Sequence, residues 1–157
     1  MDAVAQRAGV ARATLYAHFP NREALIDAVT ERAIANAAEV IASASPDEGD
    51  PREALTRVLA TAWRTLGPYH ALVEINARLA PDRLRALHAP VLGQLRPLLK
   101  RGQADGDFNR DLPLDWMLTV ILELIHAASR DASSGRMSSK AAEQALIASV
   151  TGALSPR

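Results

Sequence analysis

The sequence predicts an all-α protein, with a helix-turn-helix at the N-terminus followed by a larger helical domain. Three observations predict it. Apolar residues recur at helical spacing in most segments between breakers. The composition is 48% hydrophobic yet only 4% aromatic, and rich in alanine, which favours closely packed helices over a β-sandwich. Glycine and proline gather at segment ends, at Gly9, Pro20, Pro46, Pro51, Gly67, Pro68, Pro81 and Pro113. A chain of 157 residues accommodates one domain of ordinary size and a small appendage. The expected division is 1–43 and 44–157.

Lysine plus arginine equal aspartate plus glutamate, so the net charge is zero and gives no whole-chain sign of nucleic acid. Locally, however, Arg7, Arg12 and Arg22 outnumber Asp2 ahead of Glu23, a basic patch on a neutral protein. The absence of cysteine excludes a disulfide framework and a thiolate metal site. No signal-peptide pattern is seen, and no apolar run approaches the ~20 residues of a membrane span. A cytoplasmic protein is expected.

The elements follow in order. Val4, Ala5 and Ala8 lie on one face of a short helix over 2–8, and Gly9 ends it. The next helix begins near Ala11 and stops at Pro20. On its wheel Leu15 and Phe19 face inward, while Ala13, Thr14 and Ala17 face outward. An outer side of small and hydrogen-bonding residues suits entry into the major groove, which admits one helix. Arg12 can reach a guanine edge or a phosphate, and Tyr16 and Arg22 can reach phosphate oxygens. An ordinary surface helix would show the same periodicity. Asn21 caps a long helix over 22–43, whose Leu25 and Val29 serve the first region and Ile34, Ala38 and Ile41 the second. Asp50 caps a helix starting at Pro51 and ended by Gly67-Pro68. Short helices follow over about 69–79 and 81–88, then one over 90–104 that Pro97 should kink. A polar connection over 102–113 leads to helices over 113–131 and 138–154, antiparallel neighbours because the turn between them is short.

The literal residues Ala8-Gly9-Val10, Thr14-Leu15-Tyr16 and His18-Phe19-Pro20-Asn21-Arg22-Glu23-Ala24-Leu25 closely resemble the DNA-binding signature of the TetR/AcrR family of transcriptional repressors. The resemblance implies that Arg12, Ala13, Thr14 and Ala17 read bases and that Tyr16, His18 and Arg22 hold the backbone. Two positions depart from the pattern. Ala11 stands where a capping serine is common, at a cost of roughly 1 kcal/mol, and Arg22 replaces a lysine while keeping a phosphate role. The resemblance also implies a further helix ahead of Met1, so the helix-turn-helix is expected to be truncated. Val4, Ala8, Val10, Leu15, Phe19, Leu25 and Val29 would then lack part of their cover, and this chain would bind DNA poorly.

In the second domain Leu114, Leu118, Leu122 and Ile125 form one stripe, and Met117, Ile121, Leu124 and Ala128 another. Only Asp115, Thr119, Glu123 and His126 are left as a polar seam. An apolar arc this wide calls for two partners. The last helix adds small Ala141, Ala145, Ala148 and Gly152 beside Leu146, Ile147, Val150 and Leu154. Packing of helices 114–131 and 138–154 against the same pair of a second copy is the expected homodimer, with a monomer as the alternative. Two recognition helices about 34 Å apart match successive major grooves of a palindromic site.

The family resemblance implies a cavity for a small-molecule effector, with Trp63, Tyr69, His70, Val73, Glu74, Trp116, Met117, Val120 and Glu123 as candidates, and Leu72, Ile75, Leu95, Ile121 and His126 beside them. Apolar residues at such spacing also serve as plain core. His70 with Glu74, and Glu123 with His126, stand at metal-ligand spacing, but hydrogen-bonded histidines are commoner; no metal or other cofactor is expected. No nucleophile elbow, phosphate loop or paired-carboxylate pattern marks an enzyme. The expected function is a ligand-responsive regulator, a repressor binding palindromic double-stranded DNA as a homodimer and released by its effector. The alternative is a helical dimeric ligand- or protein-binding module without competent DNA binding.

Overall fold

The computed structural model describes residues 1–67 and 80–156, the side chains of Leu66 and Pro81 excepted. Among these residues the helices are α1 (Asp2–Ala8), α2 (Arg12–His18), α3 (Arg22–Ser43), α4 (Pro51–Leu66), α5 (Pro81–Leu87), α6 (Ala89–Asp105), α7 (Leu114–Ser133) and α8 (Ser139–Leu154), with no strand. The helix expected over 69–79 lies outside the described residues. The chain forms two compact units, Met1–Ala33 and Ile34–Arg157. The boundary between these units falls within α3. The reason is burial: Ala37, Ala38, Ile41 and Ala44 are all buried, and Ile41 and Ala44 belong to the core of the larger unit.

Side chains cap the starts of α3, α4 and α8, the first two at the residues the sequence marks. Asn21 Oδ1 accepts the Ala24 N–H at 2.8 Å. Asp50 accepts the N–H groups of Arg52 and Glu53 at 2.9 and 3.0 Å, with Pro51 at the first helical position. Ser138 Oγ accepts the Ala141 N–H at 3.2 Å. Gly9, at φ 68°, ends α1 in the left-handed region that glycine adopts without steric cost. α6 runs through Pro97, which is exposed.

The polar connection after α6 is less polar in space than in sequence. Gly106, at φ 87°, ends the helix, and Phe108 then folds back into the core at 2% exposure. It sits on Gly102, where a Cβ would lie 2.2 Å from the ring. Only glycine permits that approach.

The core of the larger unit joins Leu55, Val58, Leu59 and Trp63 of α4 to Leu95, Leu98 and Leu99 of α6, Met117, Leu118 and Ile121 of α7, and Ala142, Leu146, Val150 and Leu154 of α8. α7 and α8 pack along each other, and α4 packs against both α6 and α8. Polar bonds fix this arrangement at its edges. Trp63 Nε1 donates to Ser139 Oγ at 3.2 Å, and the Asn109 N–H donates to the Leu154 carbonyl near the end of α8 at 2.8 Å. Arg57 donates to the carbonyls of Ala44 and Ser45 at 2.8 Å and of Glu48 at 3.1 Å. Arg101 donates to those of Asp47 and Pro46 at 2.6 and 3.1 Å. A cation bonded to carbonyls just past the end of α3 satisfies acceptors the helix leaves unpaired and suits its dipole.

Candidate nucleic-acid interface and apolar cavity

In the smaller unit α2 buries Leu15 and exposes Arg12, Ala13, Thr14, Tyr16, Ala17 and His18. The expected inner and outer sides are thus separated at Leu15. Phe19, just past the helix, is half-buried, and its N–H donates to the Leu15 carbonyl at 2.8 Å. Ala11 occupies the N-cap without a side-chain bond, as its methyl group dictates. α1 buries Ala5, while Val4 and Val10 are 43% and 41% exposed. Ala8 is exposed as well, and Leu25 and Val29 are half-buried.

Arg12 is already engaged. Its Nη1 lies 3.1 Å from Asp2 Oδ2, and its guanidinium carbon lies 5.4 Å from the centre of the Tyr16 ring. The Arg12 and Asp2 side chains are 67% and 65% exposed, so solvent screens the pair and a stronger anion can displace it. The ring contact holds the guanidinium on the exposed side of α2. Arg22 stands exposed at the first position of α3.

The larger unit holds a cavity between α3, α4, α6 and α7. Its walls among the described residues are aliphatic, Ile41, Leu59, Leu92 and Ile121 among them, with His88 and His126 as the polar members. The cavity has a volume of about 50 Å³. His88 Nδ1 lies 2.9 Å from the Leu84 carbonyl. The two imidazoles meet edge to face, 5.5 Å between centres. Burial lowers the pKa of His126 to about 4, helped by the nearby His88 and Arg130; burial also lowers that of His88, against the bond to Leu84.

Of the described residues expected at an effector site, Trp63, Trp116, Met117, Val120 and Glu123 do not line this cavity. Trp63 and Met117 are packed core at 2% and 0% exposure, and Trp116 is 55% exposed. Val120 is half-buried, and Glu123 faces a shallow groove with Asp82, Arg85 and Thr119. Tyr69, His70, Val73 and Glu74, with Leu72 and Ile75, lie outside the described residues. Met117 shares a stripe with Ile121 and both are fully buried, but Met117 does not line the cavity. Ile121 and His126, grouped with them in the expectation, do line the cavity, as does Leu95. His126 is not part of an exposed polar seam: at 2% exposure it is buried beside His88. His88 carries no signal in the sequence, because it stands alone at the α5–α6 junction, where no periodicity fixes its direction.

α8 turns Ala142, Leu146, Val150 and Leu154 inward, leaving Ala145, Ala148 and Gly152 exposed and Ala141 and Ile147 half-buried. On α7, Leu124 and Ala128 are half-buried. Among the described residues no group of three or more His, Asp or Glu could hold a metal ion, and no helix is long and apolar enough to cross a membrane.

Comparison with known proteins bears on both regions. The sequence model of bacterial regulatory proteins of the tetR family matches residues 1–29. The chain is 29% identical over 122 residues to the HTH-type transcriptional repressor NicS of Pseudomonas putida, over 71% of this chain and 57% of that protein. It thus spans less than two thirds of that relative. Among solved structures, the fatty acid degradation regulator FadR from Bacillus halodurans superposes with a TM-score of 0.75 at 19% identity, covering 96% of this chain and 86% of that one. The TetR-like regulator LfrR from Mycobacterium smegmatis, solved in complex with proflavine, gives 0.73 at 23% identity, covering 96% and 82%. These likenesses establish a TetR-like fold.

Proposed function

We propose that this chain, of the TetR family by its first 29 residues and TetR-like in fold, is a transcriptional regulator that represses by binding double-stranded DNA. Its relatives are regulators and not enzymes. The observation that carries the reading is the division of α2, with Leu15 buried and Arg12, Ala13, Thr14, Tyr16 and Ala17 exposed on one short helix. Arg12, Ala13, Thr14 and Ala17 would meet base edges, and Tyr16, His18 and Arg22 the phosphates.

A homodimer through the outer faces of α7 and α8 is part of the proposal. The exposed Ala145, Ala148 and Gly152 let a second helix approach closely, and a two-fold pair suits a palindromic operator. The cavity between α3, α4, α6 and α7 is proposed as the effector site. An effector releases DNA only by binding the non-DNA-binding conformation more tightly than the other.

The test is selection of the full chain on random duplexes, followed by anisotropy titration of the selected site. Arg12→Ala is expected to relax preference at one base position, whereas Arg22→Ala should weaken binding about equally across sequences. A chain that selects no duplex at moderate salt would refute the reading.

A further inference from the structure

Among the described residues, the cavity of the larger unit is polar at one place only, where His88 meets His126. The His88 Nδ1 is 2.9 Å from the Leu84 carbonyl. A carbonyl only accepts, so Nδ1 carries the proton and Nε2 keeps a lone pair. No carboxylate lines the cavity among the described residues. Among the described residues, the charged side chains within one turn of His126 on α7 are Glu123 and Arg130, and both are exposed. α3, α4 and α6 contribute only Ile, Ala, Val and Leu to the walls. Arg85 on α5 is turned to Thr119 and Asp115, and Glu123 on α7 is exposed. A cation entering here would find no carboxylate among the described residues, only the lone pair of a neutral imidazole. A carboxylate can bind the two imidazoles once one of them takes up a proton.

We propose that the cavity takes a short aliphatic monocarboxylate, its head group at His88 and His126 and its chain among Ile41, Leu59, Leu92 and Ile121, and that binding carries one proton into the site. The inference rests on the reading of this cavity as the effector site and names the chemistry of the effector. Apart from the two imidazoles, the walls among the described residues are aliphatic. A volume of about 50 Å³ holds one or two waters, so the chain must part the walls. Each methylene buried there tightens binding roughly fourfold.

The ligand arrives as an anion and both imidazoles are neutral, because burial has lowered their affinity for protons. One imidazole takes a proton from solvent as the carboxylate docks, giving a charge-assisted hydrogen bond and a site of no added net charge. Binding therefore tightens as pH falls, up to about tenfold per pH unit for one proton taken up. It stops tightening where the ligand's own carboxyl group protonates.

The experiment is titration calorimetry of the full chain with butanoate, hexanoate and octanoate against hexanol and hexylamine. Runs from about pH 8 to about pH 6, in buffers of different ionisation enthalpy, count protons. Acids are expected to bind with uptake of close to one proton and the amine not to bind. His126→Phe should lose most of that uptake and weaken the acids while sparing the alcohol. Equal binding of amine and acid, binding without proton uptake, or no binding of the acids would each overturn the proposal. The wild-type proton count decides the matter even if the variant does not fold. Duplex binding is measured on the same preparation without ligand. Duplex binding with no response to the acids defeats this inference alone, and acid binding with no duplex binding defeats only the DNA reading.

Discussion

Lowering the pH should unfold the larger unit through His126. The imidazole is 2% exposed, and its pKa is about 4 in the folded protein against 6.5 in the open chain. Between those values the unfolded chain binds a proton that the folded one does not, so stability rises with pH across this window. The contribution is fully present above about pH 6.5 and is lost as pH falls to about 4. The gap between the two values corresponds to about 3 kcal/mol, a large share of an ordinary folding free energy. His88 shifts in the same direction and adds to the loss. Replacing His126 with Phe removes the titrating group and keeps a ring of similar size among aliphatic neighbours. Urea unfolding followed by tryptophan fluorescence reads the larger unit, since Trp63 and Trp116 both belong to it. The wild type should lose stability steeply between about pH 6.5 and pH 4.5, and the Phe variant less so by about one proton's slope, ~1.4 kcal/mol per pH unit. Parallel pH curves for the two proteins would refute the assignment.

Other perturbations test other parts of the structure. Gly102→Ala drives a methyl group to 2.2 Å from the ring of Phe108, which is itself enclosed by core; a loss of about 1–3 kcal/mol is expected, despite alanine's better helix propensity. An unchanged melting temperature would contradict this. Arg57→Ala removes three bonds to the carbonyls of Ala44, Ser45 and Glu48 and should cost about 1–2 kcal/mol. Arg57→Lys should restore only part of it, because an ammonium cannot match the guanidinium fork; denaturant titration compares the three proteins. Asp2→Asn frees Arg12 from its ion pair. It should raise duplex affinity by up to about fivefold, the worth of an exposed pair, and by more than Glu23→Gln does. Equal gains for the two variants in anisotropy titration would show that Asp2 acts only through overall charge.

Much of the helical layout was legible because its signals are local. Asn21 and Asp50 mark helix starts by hydrogen bonds spanning two or three residues, and Gly9 marks an end by its backbone freedom. The two sides of α2 followed from the wheel position of Leu15. The cavity was not legible, since its walls come from four helices whose mutual rotation no single periodicity encodes. Met117 and Ile121 are one turn apart on the same stripe, yet only Ile121 lines the cavity. His126 reads as polar in a one-dimensional pattern, but its neighbour in space is His88, far away in sequence. Phe108 was hidden for a similar reason: surrounded by Asp105, Gly106, Asp107 and Asn109, it belongs to a polar run, and only its seat on Gly102 brings it inside. The unit boundary within α3 reflects which of its residues are covered, a property of partners rather than of the helix itself.

The segment from Ala44 to Glu48 has the composition of a linker, with Pro46 inside it and Gly49 next to it, yet two guanidinium groups from α4 and α6 grip all five of its carbonyls. Anyone grafting an epitope or fluorophore onto this protein would be drawn to that stretch and should avoid it, because lengthening it would unseat both arginines at once. The exposed Ser134–Arg136 turn, whose bonds are confined to its own neighbourhood, is the safer place to cut or splice.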